Sequence, residues 1–230
     1  VIDSSPQRFG QRIFMTAVGH KADLEHAGLS HVSRETGDRL RAYVHELQRW
    51  QAVKNLVGPG TLDDVWRRHI ADSAQLLRVQ PSARRWLDLG SGAGLPGLVI
   101  AILLADTAGA AVHLVESNGR KCAFLRAAVR ATGAPATVHE GRIEDVAHQF
   151  VGRIDVVTAR ALAPVVRLLP MVKDLLRTGS VGIFPKGQDL DVELTEAAKS
   201  WRIVADIAPS LTDADAGILI VSEARELDRE

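Results

Sequence analysis

The sequence has little cysteine, methionine or aromatic content: one Cys, two Met, one Tyr, and aromatics at only 4% of 230 residues. With Cys122 alone, no intrachain disulfide forms and no cysteine-based metal site can assemble. That usage suits a reducing compartment. No apolar run approaches the ~18 residues of a membrane helix. The polar start, Val1 to Gly10, lacks the basic-then-apolar order of a secretory signal. The expectation is a soluble, cytoplasmic, monomeric protein with no metal and no membrane partner. Net charge is also missing: 28 Lys+Arg balance 28 Asp+Glu, which argues against a blanket polyanion binder. The balance is uneven along the chain. Residues 1–80 hold 11 basic and 9 acidic side chains, residues 81–187 hold 13 and 8, and residues 188–230 hold 4 and 11. A mildly basic body therefore precedes an acidic tail segment. Hydrophobic residues at 46% exclude overall disorder and supply a core.

The first eighty residues are patterned as helices. Leu40, Tyr43, Val44, Leu47 and Trp50 recur at helical spacing, which predicts an amphipathic helix over 33–53. Gly58-Pro59-Gly60 stops it. Thr61 suits an N-cap, with Asp63 and Asp64 in the first turn of a second helix that runs to Pro81. From Arg84 the pattern becomes strand–helix alternation: strands at 86–89, 111–116, 136–140, 154–159 and 181–184, with helices at 98–105, 118–131 and 164–177. An acidic helix at 189–199 and closing strands at 202–207 and 217–222 follow. Such alternation predicts βαβ units and a covered parallel sheet. The expected organisation is a helical extension, 1–82, ahead of a Rossmann-like α/β domain, 83–230.

The most informative segment is Asp88-Leu89-Gly90-Ser91-Gly92-Ala93-Gly94-Leu95-Pro96-Gly97, between a strand and a helix. Glycines there permit a tight turn and close approach of backbone to a bulky ligand. Residues 92–97 match the dinucleotide string GxGxxG. A pyrophosphate, however, would be repelled by Asp88 at the mouth of the loop. A ligand with a positive amino acid end and no phosphate matches better: S-adenosylmethionine. Asp88 would accept hydrogen bonds from loop N–H groups or from the ligand ammonium. Glu116 ends the next strand, where a carboxylate accepts both hydroxyls of a ribose. NAD shares that ribose, so Glu116 supports nucleoside binding without choosing between the two.

Residues 86–97 resemble motif I of class I methyltransferases, and the Leu95-Pro96-Gly97 ending is similar to the bacterial small-subunit ribosomal RNA methyltransferase G family, also called glucose-inhibited division protein B. Further blocks agree in order and spacing over roughly residues 35–222. These are Asn55-Leu56 with Arg68 to Ser73, Glu116-Ser117 with Arg120-Lys121 and Phe124-Leu125, Gly141 to Glu144, Thr158 to Ala161, and Lys186-Gly187. Thr158 stands where serine is common, and Glu116 where aspartate is also common; hydroxyl and carboxylate are both kept. The resemblance implies a mostly parallel seven-stranded sheet and methylation of guanine N7 in 16S rRNA of the small ribosomal subunit. It also implies cofactor contacts at Gly90, Leu95, Ile143-Glu144 and Arg160, with Gly92 and Gly94 in the same loop and Glu116 nearby.

Guanine N7 carries a lone pair and no proton, so no general base is nominated, and none emerges from the sequence. An Asn/Asp-Pro-Pro-aromatic motif, typical of exocyclic-amine methyltransferases, is absent. Arg160 and Lys186 follow the fourth and fifth strands, where open α/β folds bind ligands, and are positioning candidates. Both are also RNA-binding candidates, with Arg67, Arg68, His69 and Lys121. Competing structural readings stand beside these: His69 as a core histidine paired with Asp72, Arg160 paired with Asp155 or Asp145, Trp50 and Trp66 as core, Cys122 as a buried filler. Two functional alternatives stay open, a small-molecule or protein methyltransferase on the same fold and a nicotinamide-dependent oxidoreductase.

Overall fold

The structure is a computed structural model that describes residues 17–52, 56–58 and 60–227. Asn55, Pro59 and the polar start at 1–10 lie outside the described residues. Helix α1 (Ala17–His26) precedes α2 (Arg34–Gln51), whose N-cap Ser33 accepts the Thr36 N–H at 3.1 Å. The α2 stripe is buried as its spacing predicts: Leu40, Tyr43 and Leu47 lie fully inside.

The second helix departs from expectation. Thr61 does not cap it; its hydroxyl donates to the Gly58 carbonyl at 2.8 Å. Helical structure begins instead at Trp66 as a π turn, Trp66–Ala71, followed by two short pieces, α3 (Asp72–Ala74) and α4 (Leu76–Val79). The Asp72 N–H reaches back to the Arg67 carbonyl, the five-residue spacing of a π turn. Hydrophobic periodicity does not reveal this, because a six-residue segment holds too few apolar positions to tell a π turn from an α turn.

The body is a seven-stranded sheet in the order β3-β2-β1-β4-β5-β7-β6. Strands β1 (Arg85–Leu89), β2 (Ala111–Glu116), β3 (Ala136–Glu140), β4 (Val156–Thr158) and β5 (Val181–Lys186) are parallel. β6 (Trp201–Pro209) and β7 (Gly217–Glu226) close one edge antiparallel. Crossovers use α5 (Gly97–Leu103), α6 (Gly119–Thr132), the pair α7 (Ile143–Val146) with a 3₁₀ turn Ala147–Phe150, α8 (Val165–Leu176) and α9 (Leu190–Ala197).

Both sheet faces are covered, so the central strands are apolar on both sides. On one face Trp86, Leu98, Ile100, Leu114 and Phe124 pack with Leu40, Tyr43 and Leu47 of α2 in a single core. On the other, Leu87, Leu89 and Val157 pack under Leu168, Leu169 and Val172 of α8. Each such fully buried side chain contributes about 1.5–3 kcal/mol. Cys122 is buried, and burial raises its thiol pKa, as befits a small filler. Trp50 meets Phe124 edge-on with centroids 5.9 Å apart, and Trp66 packs on the same core. Among the described residues no helix is long and apolar enough to cross a membrane.

Candidate functional site

The site follows from strand register. Asp88 pairs with Thr158 and Leu89 with Val115, so Gly90 is level with Arg160 on one side and Glu116 on the other. Thr158 pairs with Ile183, which carries Lys186 to the same edge, and Glu116 pairs with Glu140, which brings up Ile143 and Glu144. The order reverses between β1 and β4, the switch point where open α/β sheets bind ligands at the carboxyl ends of their strands. Residues spread over a hundred positions thus meet at one edge.

The glycine loop is held from three directions. Gly90 has φ +68°, and a Cβ there would sit 2.8 Å from Leu162 Cδ1, so any side chain would strain the left-handed turn and push against the loop after β4. Glu116 Oε2 accepts the Gly92 N–H at 3.0 Å, and its Oε1 accepts the Asn118 N–H at 2.8 Å. Each carboxylate oxygen keeps a further lone pair for a ligand hydroxyl. From beneath, the Tyr43 hydroxyl donates to the Ala93 carbonyl at 2.7 Å. Burial holds that phenol well above its ordinary pKa, so it remains a donor.

Asp88 is not at the loop mouth but fully buried beneath it. Its Oδ2 accepts the Gly97 N–H at 3.2 Å, while Oδ1 has no hydrogen-bond partner among the described residues. Burial raises its carboxyl to about 7. The expected bond to a loop N–H is present.

Arg160 pairs with neither Asp155 nor Asp145. Its Nη1 donates to Asp72 Oδ2 at 3.1 Å and to the Arg68 carbonyl at 3.4 Å, and its Nη2 approaches His69 Nδ1 at 3.4 Å. Asp155 is occupied by Arg85. The expected His69–Asp72 pair is also replaced, because Asp72 Oδ1 takes the Thr212 hydroxyl at 2.8 Å and the Gln75 amide at 2.9 Å. His69 is buried, and burial, with Arg160 beside it, lowers its pKa to about 4. A neutral ring turned into the protein offers no surface to RNA. Arg67 and Arg68 are exposed; Arg67 donates to the Thr212 carbonyl at 3.0 Å. Ala161, directly after Arg160, has φ +52°, a strained conformation for a residue with a Cβ and one that clusters at functional sites.

Lys186 is 10% exposed; its Nζ donates to the Ala163 carbonyl at 2.8 Å and to Glu193 Oε2 at 2.7 Å. Lys121 lies in the first turn of α6, where its N–H and that of Arg120 donate to the Asn118 cap. Sequence alone does not reveal Tyr43 as a loop brace, Asp72 as the Arg160 partner or Glu193 as the Lys186 partner. A residue's spacing says which face it occupies, not which atom 50 or 88 positions away it meets.

A glycine loop after β1, an acid after β2 and this seven-stranded order define a class I S-adenosylmethionine-dependent methyltransferase fold. Solved structures agree on the fold. A Bacillus cereus O-methyltransferase in complex with S-adenosylhomocysteine aligns at TM-score 0.56 and 16% identity, covering 87% of this chain and 96% of that one. Cofactor-bound Rv0187 from MTB aligns at 0.58 and 14%, covering 89% and 97%. The chain belongs to the GidB family, rRNA small subunit methyltransferase G, whose model matches residues 37–217. It is 56% identical over 197 residues to the ribosomal RNA small subunit methyltransferase G of Methylorubrum populi, covering 86% of this chain and 93% of that protein. The corresponding Rhodopseudomonas palustris protein is 49% identical over 201 residues, covering 87% and 86%. Membership of a methyltransferase family decides against the oxidoreductase reading.

Proposed function

We propose that this chain methylates N7 of one guanine in 16S rRNA of the small ribosomal subunit, acting as a cytoplasmic monomer with S-adenosylmethionine as donor. One observation carries the reading: strand register gathers the glycine loop, Glu116 and Arg160 at the sheet's switch point in a member of the rRNA methyltransferase family. The residues present suit that cofactor. Gly90, Gly92 and Gly94 all have positive φ and expose backbone where a ligand approaches. Glu116 has acceptor capacity left for ribose hydroxyls, and Ile143 supplies an apolar contact for an adenine with Glu144 beside it. Leu95 shapes the loop end of the same cradle. Bound S-adenosylmethionine supplies a methyl group activated by a sulfonium.

The chain's own task is alignment. N7 of guanine is an acceptor with no proton, so the residues position two reactants and exclude water rather than remove a proton. Arg160, fixed by Asp72 and His69, presents a rigid cation between cofactor cradle and RNA. Arg67, Arg68 and Lys121 are the surface candidates for phosphate contacts.

Label transferred from radiolabelled S-adenosylmethionine into small subunits or 16S rRNA, but not into small amines, is the expected outcome. Alkali-aniline cleavage and reverse transcription then map a single N7-methylguanine. Label entering a metabolite with none in RNA sinks the proposal.

A further inference from the structure

A cavity of about 530 Å³ opens beside the glycine loop, between the turn after β4, the end of β5 and α9. Leu162 forms part of its wall and also packs over Gly90, so the cavity adjoins the cofactor cradle. Its size suits one nucleoside. Arg68 and Arg167 at its rim make no ion pair among the described residues. A base reaches such a cavity only when unstacked from its helix.

Inside, Lys186 and Glu193 form a half-used hydrogen-bonding pair. An ammonium has three donors. Two of those on Lys186 go to the Ala163 carbonyl and Glu193 Oε2, and one is left. Glu193 Oε2 accepts both Lys186 and the Val165 N–H at 2.8 Å, whereas Oε1 accepts nothing among the described residues. One donor and one acceptor therefore stand side by side, fixed by a 2.7 Å bond and by the backbone at both ends.

We propose that this pair reads the Watson–Crick edge of the target guanine, Lys186 donating to O6 and Glu193 accepting from N1–H. The proposal rests on the guanine-methylation reading above and names the residues that choose the base. Adenine presents the reverse order, a donor at N6 and an acceptor at N1, and is mismatched at both positions. Reading through O6 and N1–H leaves N7, on the far side of O6, free to meet the methyl group. The neighbouring carbonyl of Ala163 and N–H of Val165 keep the pair from rotating to suit adenine.

The test compares small subunits carrying guanosine, inosine, 2-aminopurine riboside or adenosine at the methylated position. Inosine keeps O6 and N1–H, and wild-type protein is expected to methylate it within about threefold of guanosine. The other two lack that pattern and are expected to fall by roughly 5- to 150-fold, the worth of one bidentate base contact. In Glu193→Gln the side-chain oxygen stays with Lys186 and the amide nitrogen takes the place of Oε1, giving a donor where an acceptor stood. Transfer to guanosine then drops at least tenfold while the adenosine-to-guanosine ratio rises. A merely structural role would lower transfer to both bases alike, together with Tm. Equal transfer to guanosine and 2-aminopurine riboside by wild type, or an unchanged base ratio in Glu193→Gln, overturns this inference alone. No transfer to guanosine subunits at all overturns the parent reading and this one with it.

Discussion

Arg160 and Asp72 stand 88 residues apart in the chain, and their side chains meet at 3.1 Å with each about one fifth exposed. Asp72 is also the acceptor for Thr212 and Gln75, and Gln75 Oε1 accepts the Leu211 N–H at 2.8 Å. One carboxylate thus joins the π-turn segment, the end of β4 and the β6–β7 loop. Asp72→Ala removes the acceptor of three donors and leaves a guanidinium underpaired, a change that costs about 1–3 kcal/mol. Urea unfolding is expected to show that loss. Combined with Arg160→Ala, the two losses should fall short of additivity, since either substitution already breaks the pair.

The same geometry separates Arg160 from an ordinary surface arginine. Arg177 pairs with Asp174 at 3.7 Å, both well exposed, an interaction worth about 0–1 kcal/mol. Arg160→Ala is expected to lower methyl transfer or S-adenosylhomocysteine affinity by at least tenfold, against less than twofold for Arg177→Ala. Equal effects would return Arg160 to a structural role.

Gly97 is the tightest approach between helix and sheet at the site. A Cβ there would lie 2.5 Å from Leu114 Cδ2, 2.6 Å from Asp88 Oδ2 and 2.7 Å from Asp88 Cβ. All three atoms are in the fully buried layer, so none can swing away. Gly97→Ala is expected to cost about 1–3 kcal/mol through overpacking and to displace the loop's hold on Asp88. Titration with S-adenosylhomocysteine should show weakened binding even at temperatures where the variant stays folded.

The parallel sheet, the loop between β1 and α5 and the acid at Glu116 were legible because strand–helix alternation and a glycine cluster are local patterns. Trp50 and Trp66 are readable as core because helical spacing states which face is apolar, and Cys122 as a buried filler because no basic neighbour is fixed beside it by sequence. What stayed hidden depends on contacts between distant segments. Nothing near Asp72 announces Arg160, and nothing near Lys186 distinguishes a solvated lysine from one bonded to Glu193 seven residues on. Chain order alone puts Asp88 at the loop mouth; in the fold the α5 N-terminus covers it instead. His69 looked ambiguous since a histidine on an apolar stripe adjoining two arginines satisfies both readings. Burial decides between them: the ring lies inside, with the Arg160 guanidinium beside it.

That inward ring makes acid stability a direct measure of His69. Its pKa in the folded chain is about 4, lowered by burial first and by Arg160 second, against 6.5 unfolded. The folded state therefore takes up this proton less readily, so the contribution is fully present above about pH 6.5 and is lost as pH falls toward 4. Asp88 acts in the opposite sense. Its carboxyl is raised to about 7 from 3.8 by burial, so its contribution is present at low pH and is lost as pH rises toward 7. The two trends overlap, and the wild-type profile alone would conceal both. His69→Gln removes one of them while keeping an acceptor toward Arg160. Unfolding free energies from urea titrations across pH 6.5 to 4 should therefore show wild type losing roughly 2 kcal/mol more than His69→Gln, after allowing for partial screening by solvent. Parallel profiles would mean that His69 takes up its proton as easily in the folded protein as in the unfolded chain, and that the ring is not held against Arg160.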